Sequence, residues 1–159
     1  MKAQPPASPD ISDLDSFLCF AIYSAGLAFN RVYRRQLDRL GLTYPQYLVM
    51  VALWQEDDVT IGHLGERLSL DTNTLTPMLK RLEAMGLLTR RRDSADERRV
   101  LVSLTDRGRS IRTDARDIMR CIVEATGLSD DKLAGLTKEM QVLRQRLEQY
   151  AERQEDRRS

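Results

Sequence analysis

The sequence predicts a mainly α-helical protein with one small β-hairpin and long helices at both ends. Three observations carry this. Apolar residues recur at helical spacing through most of the chain. The period changes from 3.6 to 2 once, between "LLTRRR" and "RVLVSL". A short helix, a turn and an amphipathic helix stand immediately before that change.

A first helix is expected after Ser12 and should stop at Gly41. Its apolar residues fall at 14, 18, 21, 25, 28 and 32, and a second row runs through 19, 22, 26, 29 and 33. Two adjacent rows make a stripe wider than one packing face needs, which implies a second subunit. A second helix follows Thr43 and Tyr44, with Pro45 in its first turn. "DDV" reads as a turn, and Thr60 caps a short helix, "IGHLGERLS". The helix "LDTNTLTPMLKRLEAMG" is capped near Asp71 and closed by Gly86, with Pro77 expected to disturb its first turn. The hairpin follows, with the charged tip "DSADER". Thr105 caps a long helix ending at Gly127, and Ser129 caps a last helix that fades into "QYAERQEDRRS".

Composition narrows the function classes. The chain has 159 residues, 42% hydrophobic and 31% charged, with net charge +1. The longest apolar run, Tyr47–Trp54, is far short of the ~20 residues of a membrane span. "MKAQPPASPD" lacks a signal-peptide core and reads as a disordered arm over residues 1–12. A cytoplasmic protein without membrane contact is expected. Cys19 and Cys121 form neither a CxxC site nor a disulfide framework. One histidine and two cysteines do not suggest a zinc site, and no cofactor motif is present.

The helix over 71–86 places Leu75, Met78, Leu79 and Leu82 on one face, and Asn73, Thr76, Pro77, Lys80 and Ala84 opposite. Asn, Thr and Arg read base edges, and Lys neutralises phosphate. With the preceding helix this makes a helix-turn-helix. From Arg67 to Arg112 there are eleven Arg or Lys against six Asp or Glu, a local excess of five on a nearly neutral chain. Arg98 and Arg99 at the hairpin tip suit the minor groove. A charged tip alone is a solvated loop; helix pair, hairpin and basic excess together point to DNA.

The stretch "LGERLSLDTNTLTPMLKRLEAMGLLTRRRDSADERRVLVSLTDRG" resembles the winged helix-turn-helix core of MarR-type transcription regulators. The resemblance implies a homodimer on a pseudo-palindromic operator. The winged helix-turn-helix would occupy 43–105, and the helices of 13–42 and 106–159 would form the dimerisation region. It implies Thr72, Asn73, Thr74, Thr76, Lys80 and Arg81 as recognition-helix contacts, Arg98 in the minor groove and Asp96 as a brace for the wing.

Cys19 and Tyr33 share one face of the first helix, but fourteen residues separate them by roughly 21 Å along it. Contact between them therefore requires a second chain, most simply through a two-fold axis. Tyrosine hydroxyls donating to a thiolate favour its charged form, the form that peroxides oxidise. "LCFAIY…Y" and "GLTYPQYLVMVALW" are similar to the organic-hydroperoxide-sensing branch, the OhrR repressors. That likeness implies Cys19 as the reactive thiol and Tyr33 and Tyr44 as thiolate partners across the dimer. Tyr23 would lie nearby, and Cys121 would be the resolving cysteine of a two-cysteine, intersubunit disulfide. The apolar neighbours Phe17, Phe20, Ile22 and Trp54 would favour lipid-like or aryl hydroperoxides. The alternatives are a repressor released by a small aromatic ligand and, with less support, a thiol peroxidase. For either cysteine the plain reading is a small buried residue.

Overall fold

The structure is a computed structural model and describes residues 13–157; the expected disordered arm lies outside the described residues. The chain divides into two units, Met1–Ile122 and Val123–Ser159.

The first unit opens on a 3-10 turn, Leu14–Ser16, followed by α1 (Leu18–Leu37) and a second 3-10 turn, Asp38–Leu40. The single helix expected from Ser12 to Gly41 is thus in three pieces. Phe17 is extended (φ −82°, ψ 116°) because Ser16 turns back on Asp13: its N–H and hydroxyl both donate to the Asp13 carbonyl. At the other end Gly41 takes φ 65°, a left-handed conformation that glycine adopts without strain, and Leu42 N–H donates to the Leu37 carbonyl.

α2 (Tyr44–Gln55) starts in a capping box: Gln46 N–H donates to Thr43 Oγ1, and Thr43 N–H donates to Gln46 Oε1. Gln46, Tyr47, Val49, Met50, Ala52 and Leu53 are buried, so α2 runs through the core. The "DDV" turn holds more than expected. Asp58 is left-handed (φ 57°), and Val59–Thr60 form β1, paired with Val102 and Leu101. The expected hairpin is therefore part of a three-stranded antiparallel sheet, order β1-β3-β2, with β2 Leu88–Arg92 and β3 Val100–Leu104. A two-residue strand has no periodicity to read.

α3 (Ile61–Leu68) and α4 (Thr72–Ala84) have the expected caps, Thr60 and Asp71. α4 continues unbroken through Pro77, contrary to expectation; only one backbone donor is lost. The long helix expected from Thr105 is two, α5 (Asp106–Ser110) and α6 (Arg112–Thr126), parted at Ile111. Ser110 Oγ donates to the Arg107 carbonyl at 2.8 Å, a local bond that competes with the helical ladder at the break.

Leu75, Leu79 and Leu82 of α4 meet Leu37, Met50, Leu53, Leu64, Leu88 and Val102 in one buried cluster, which also takes in Ala115, Ile118 and Ile122 of α6. This cluster seats α4. In the second unit, α7 (Asp130–Asp156) buries no residue, and Leu136, Leu147 and Tyr150 are exposed. Ser129 holds the N-cap position without a side-chain bond, so the aid to the first turn comes from Asp130 and Asp131 at the positive helix end. Among the described residues no helix is long and apolar enough to cross a membrane.

Candidate DNA interface and thiol site

The outward face of α4 carries Thr72, Asn73, Lys80 and Arg81, all exposed, with Thr76 half-buried. Thr74 differs from these. Its N–H and hydroxyl both donate to the Asp71 carboxylate, at 2.7 and 3.1 Å, so its polar atoms hold the N-cap. These bonds lower the Asp71 pKa below the usual carboxylate value.

At the hairpin tip Asp96 gathers both arginines. Arg98 N–H and Nε donate to its Oδ1 at 3.1 and 3.2 Å, and Arg99 Nε lies 3.5 Å from Oδ2. The Arg98 backbone bond, then its side chain, depress the Asp96 pKa. Arg98 itself reaches into solvent, its side chain 91% exposed. Thr72, Arg98 and Arg99 line one recess of about 560 Å³ with Thr60–His63 and Glu66, so the tip and the start of α4 present a common surface.

The basic excess is divided by the fold. Arg67, Arg90, Arg91, Arg98, Arg99 and Arg109 are in ion pairs, several with acids at positions 56–58 just ahead of the basic stretch. Among the described residues Lys80, Arg81, Arg92, Arg107 and Arg112 enter no ion pair. Unneutralised charge is thus left on α4 (Lys80, Arg81), the wing (Arg92) and the helices after it (Arg107, Arg112).

Two clamps fix the wing, and the sequence reading missed both. Arg90 of β2 grips Glu83 of α4: its N–H donates to Oε1 at 3.0 Å, and Nε and Nη2 donate to Oε2 at 3.0 and 2.6 Å. The Arg90 bonds hold Glu83 below its ordinary pKa. Arg91 donates to both oxygens of Asp58 at 2.8 and 2.9 Å, and Ser103 donates to the same carboxylate at 2.6 Å. Asp57 accepts from Leu104 N–H and Arg109 Nη2, both at 2.8 Å. A turn carrying two adjacent aspartates opposite an arginine-rich strand was the available signal.

The thiol residues are distributed over two places. Cys19 is exposed near the start of α1, with Tyr23 one turn on, 62% exposed, and Leu18, Ile22, Leu27 and Phe29 also bare. This does not fit the plain reading of Cys19 as a small buried residue. Tyr33, by contrast, is buried against α2: its ring lies 4.4 Å from Tyr44 and 5.8 Å from Tyr47. Burial, with the neighbouring Tyr44 and Tyr47 phenols adding to it, pushes Tyr33 up to about 12; burial also raises Tyr44 and Tyr47. All three therefore remain protonated donors at neutral pH. Among the described residues no hydrogen bond engages their hydroxyls. Tyr44 also lines an open recess of about 520 Å³ with Asn30, Arg34 and Thr43.

Cys121, half-buried, lines a separate recess with Gln36, Arg39, Asp114 and Asp117. Gln36 stands seventeen residues along α1 from Cys19, roughly 25 Å at the helical rise. A disulfide needs Cα atoms within about 7 Å, so Cys19 and Cys121 of one chain do not pair in this fold. Trp54 lies away from Cys19 and Tyr44. Ten residues beyond Tyr44 on α2, its indole Nε1 donates to the Gly108 carbonyl at 2.8 Å, and its ring meets Tyr47 at 6.2 Å.

Residues 31–115 match the family model of the SarA/Rot transcriptional regulators. The chain is 44% identical over 138 residues to the HTH-type transcriptional regulator TtmR of Methylorubrum extorquens (strain PA1), covering 87% of this chain and 71% of TtmR. It is 41% identical over 140 residues to the organic hydroperoxide resistance transcriptional regulator of Bacillus subtilis (strain 168), covering 88% of this chain and 95% of that one. Among solved structures it is similar to AbfR of Staphylococcus epidermidis. Reduced AbfR bound to DNA superposes with TM-score 0.69 at 35% identity, covering 82% of this chain and 91% of that one. Disulfide-formed AbfR superposes with TM-score 0.59 at 34% identity, covering 85% and 90%.

Proposed function

The chain belongs to the SarA/Rot/MarR-type family of winged-helix transcriptional regulators, and from that premise we propose that it is a homodimeric repressor that senses organic hydroperoxides through Cys19 and then releases its operator. DNA binding and transcription regulation come with the family; the signal and the response are the proposal.

The observation that carries it is a mismatch within one protomer. Three protonated phenols, their hydroxyls unengaged among the described residues, stand at the α1–α2 junction, while the thiol they suit sits roughly 21 Å away on a bare apolar face. A second copy, its α1 crossing antiparallel, covers the apolar face and brings each Cys19 to the partner's phenols. Tyr23 stays beside its own chain's thiol. The helices of 13–42 and 106–159 form the dimerisation region, and 43–105 reads DNA through Thr72, Asn73, Thr76, Lys80 and Arg81 in the major groove, with Thr74 setting the N-cap. Arg98 and Arg99 enter the minor groove, braced by Asp96.

In the chemistry proposed, the Cys19 thiolate attacks the outer oxygen of an organic hydroperoxide. An S–O bond forms, the O–O bond breaks, and the alkoxide leaves with a proton as an alcohol, giving a sulfenic acid. The Cys121 thiol of the partner then attacks that sulfur, an S–S bond forms and water leaves. Cys121 lies out of reach of Cys19 in its own chain, which supports pairing across the dimer. The rearranged dimer changes the separation of its recognition helices from the about 34–36 Å that adjacent major grooves require, and binding is lost. The B. subtilis relative's name and the reduced and disulfide forms of AbfR support this reading.

The test uses a palindromic fragment from beside the protein's own gene. Wild-type protein should bind it, release it on adding cumene hydroperoxide, and rebind on adding excess thiol. Cys19→Ser should bind and ignore the oxidant. Release of Cys19→Ser by cumene hydroperoxide at the wild-type dose would sink the proposal.

A further inference from the structure

The phenol cluster is physically continuous with the far end of the recognition helix. Tyr33 packs on Tyr44 and Tyr47, and Tyr47 meets Trp54 edge-on at 6.2 Å. Trp54 Nε1 donates to the carbonyl of Gly108 in α5 at 2.8 Å. Gly108 is wedged into the sheet–helix junction: a Cβ there would stand 1.9 Å from the Leu87 carbonyl oxygen. Gly108 N–H donates to Thr105 Oγ1, and Thr105 donates from its hydroxyl to the Gly86 carbonyl and from its N–H to the Leu87 carbonyl. Leu87 N–H in turn donates to the carbonyl of Leu82, in the last turns of α4.

We infer that Trp54 is a positioning residue that couples the thiol site to the recognition helix, its indole N–H linking the tyrosine cluster of α1 and α2 to the Gly108–Leu87 joint. The inference rests on the peroxide-sensing reading above. Close-packed rings transmit displacement because no void absorbs it. The indole bond is directional, so a shift of Tyr44 and Tyr47 on oxidation either carries Gly108 with it or leaves a half-buried donor and carbonyl without partners. Gly108 has no slack toward Leu87, so motion that reaches it reaches the end of α4.

Trp54→Phe keeps an aromatic ring and removes the donor. Full-length wild type and Trp54→Phe are compared on the operator fragment, reduced and after cumene hydroperoxide, with Cys19 oxidation followed by intact mass. The variant should match wild type in reduced affinity and in Cys19 oxidation. Allosteric couplings are typically about 5- to 150-fold, and oxidised wild type should lose affinity within that range while oxidised Trp54→Phe loses less than about threefold. A merely structural tryptophan would lower the melting temperature and leave release intact. Release of Trp54→Phe equal to wild type overturns the inference and leaves peroxide sensing standing. Failure of wild type to oxidise or to release ends both.

A second measurement needs no change at position 54. Trp54 is the chain's single tryptophan. Its fluorescence should shift when wild type is oxidised and stay constant in Cys19→Ser; an emission unchanged by oxidation of Cys19 overturns the inference.

Discussion

Tyr33, near the end of α1, and Tyr44, the first residue of α2, pack ring against ring, tilted by 39°, at a centroid separation of 4.4 Å across the Gly41 turn. The contact fixes the two phenols as one unit before any partner chain arrives. Their hydroxyls are not engaged within the described residues, so removing them costs the fold little. Tyr33→Phe and Tyr44→Phe should therefore melt close to wild type and bind the operator normally. Each should slow Cys19 oxidation by about tenfold, one hydrogen bond to an ionised group being worth on the order of 1.5 kcal/mol or more. The rate of sulfenic acid trapping measures this, and an unchanged rate in both variants removes the phenols from the mechanism.

The Glu83–Arg90 clamp ties the recognition helix to the wing. Glu83→Gln keeps the shape and one acceptor, and Arg90→Ala removes the two side-chain donor contacts while the backbone N–H bond to Glu83 remains. Both groups are partly exposed, so the loss in stability should be on the order of 1 kcal/mol. The loss in operator affinity should be larger in Arg90→Ala, with weakened minor-groove protection in a hydroxyl-radical footprint while major-groove contacts persist.

Salt dependence separates the two kinds of DNA contact. Lys80 has no ion-pair partner among the described residues and faces outward. Lys80→Ala should weaken binding to any sequence alike and reduce the salt slope by about 1. Arg98→Ala should act on the A·T preference of the flanking minor groove. Filter binding across salt concentrations and operator variants reads both.

Stability should fall at both extremes of pH. Glu83, Asp58, Asp71 and Asp96 have folded pKa values below their ordinary ones, so their contribution is present above the usual carboxylate range and is lost as pH falls through the folded values, below about 4. Tyr33 has the opposite sense. Raised from 10.0 to about 12, it contributes fully below pH 10, and that contribution is lost as pH rises toward 12. Thermal melts across pH should show both limbs, and Tyr33→Phe should reduce the alkaline one without moving the acid one, Tyr44 and Tyr47, which are also raised, supplying what remains.

Gly108→Ala tests the joint under Trp54. The added Cβ meets backbone, which cannot rotate away. Overpacking of this kind costs about 1–3 kcal/mol, so the variant should melt several degrees below wild type and bind operator less tightly even when reduced.

Local chemistry was legible along the chain. Thr43, Thr60, Asp71 and Thr105 cap the helices they were expected to cap, because a side-chain oxygen reaching an N–H three residues on is a local event. The buried leucines of α4 follow from spacing alone. The sequence by itself thus determined the helix pair, the wing and the separation of Cys19 from Tyr33 along one helix. Tertiary structure decided the rest. Only the folded chain shows that six of the basic side chains are neutralised, that Asp57 and Asp58 grip the sheet from another element, and that the Trp54 indole bonds Gly108. Ion pairs and ring contacts depend on distances between segments tens of residues apart, and those distances exist only once the shared core has closed around α2.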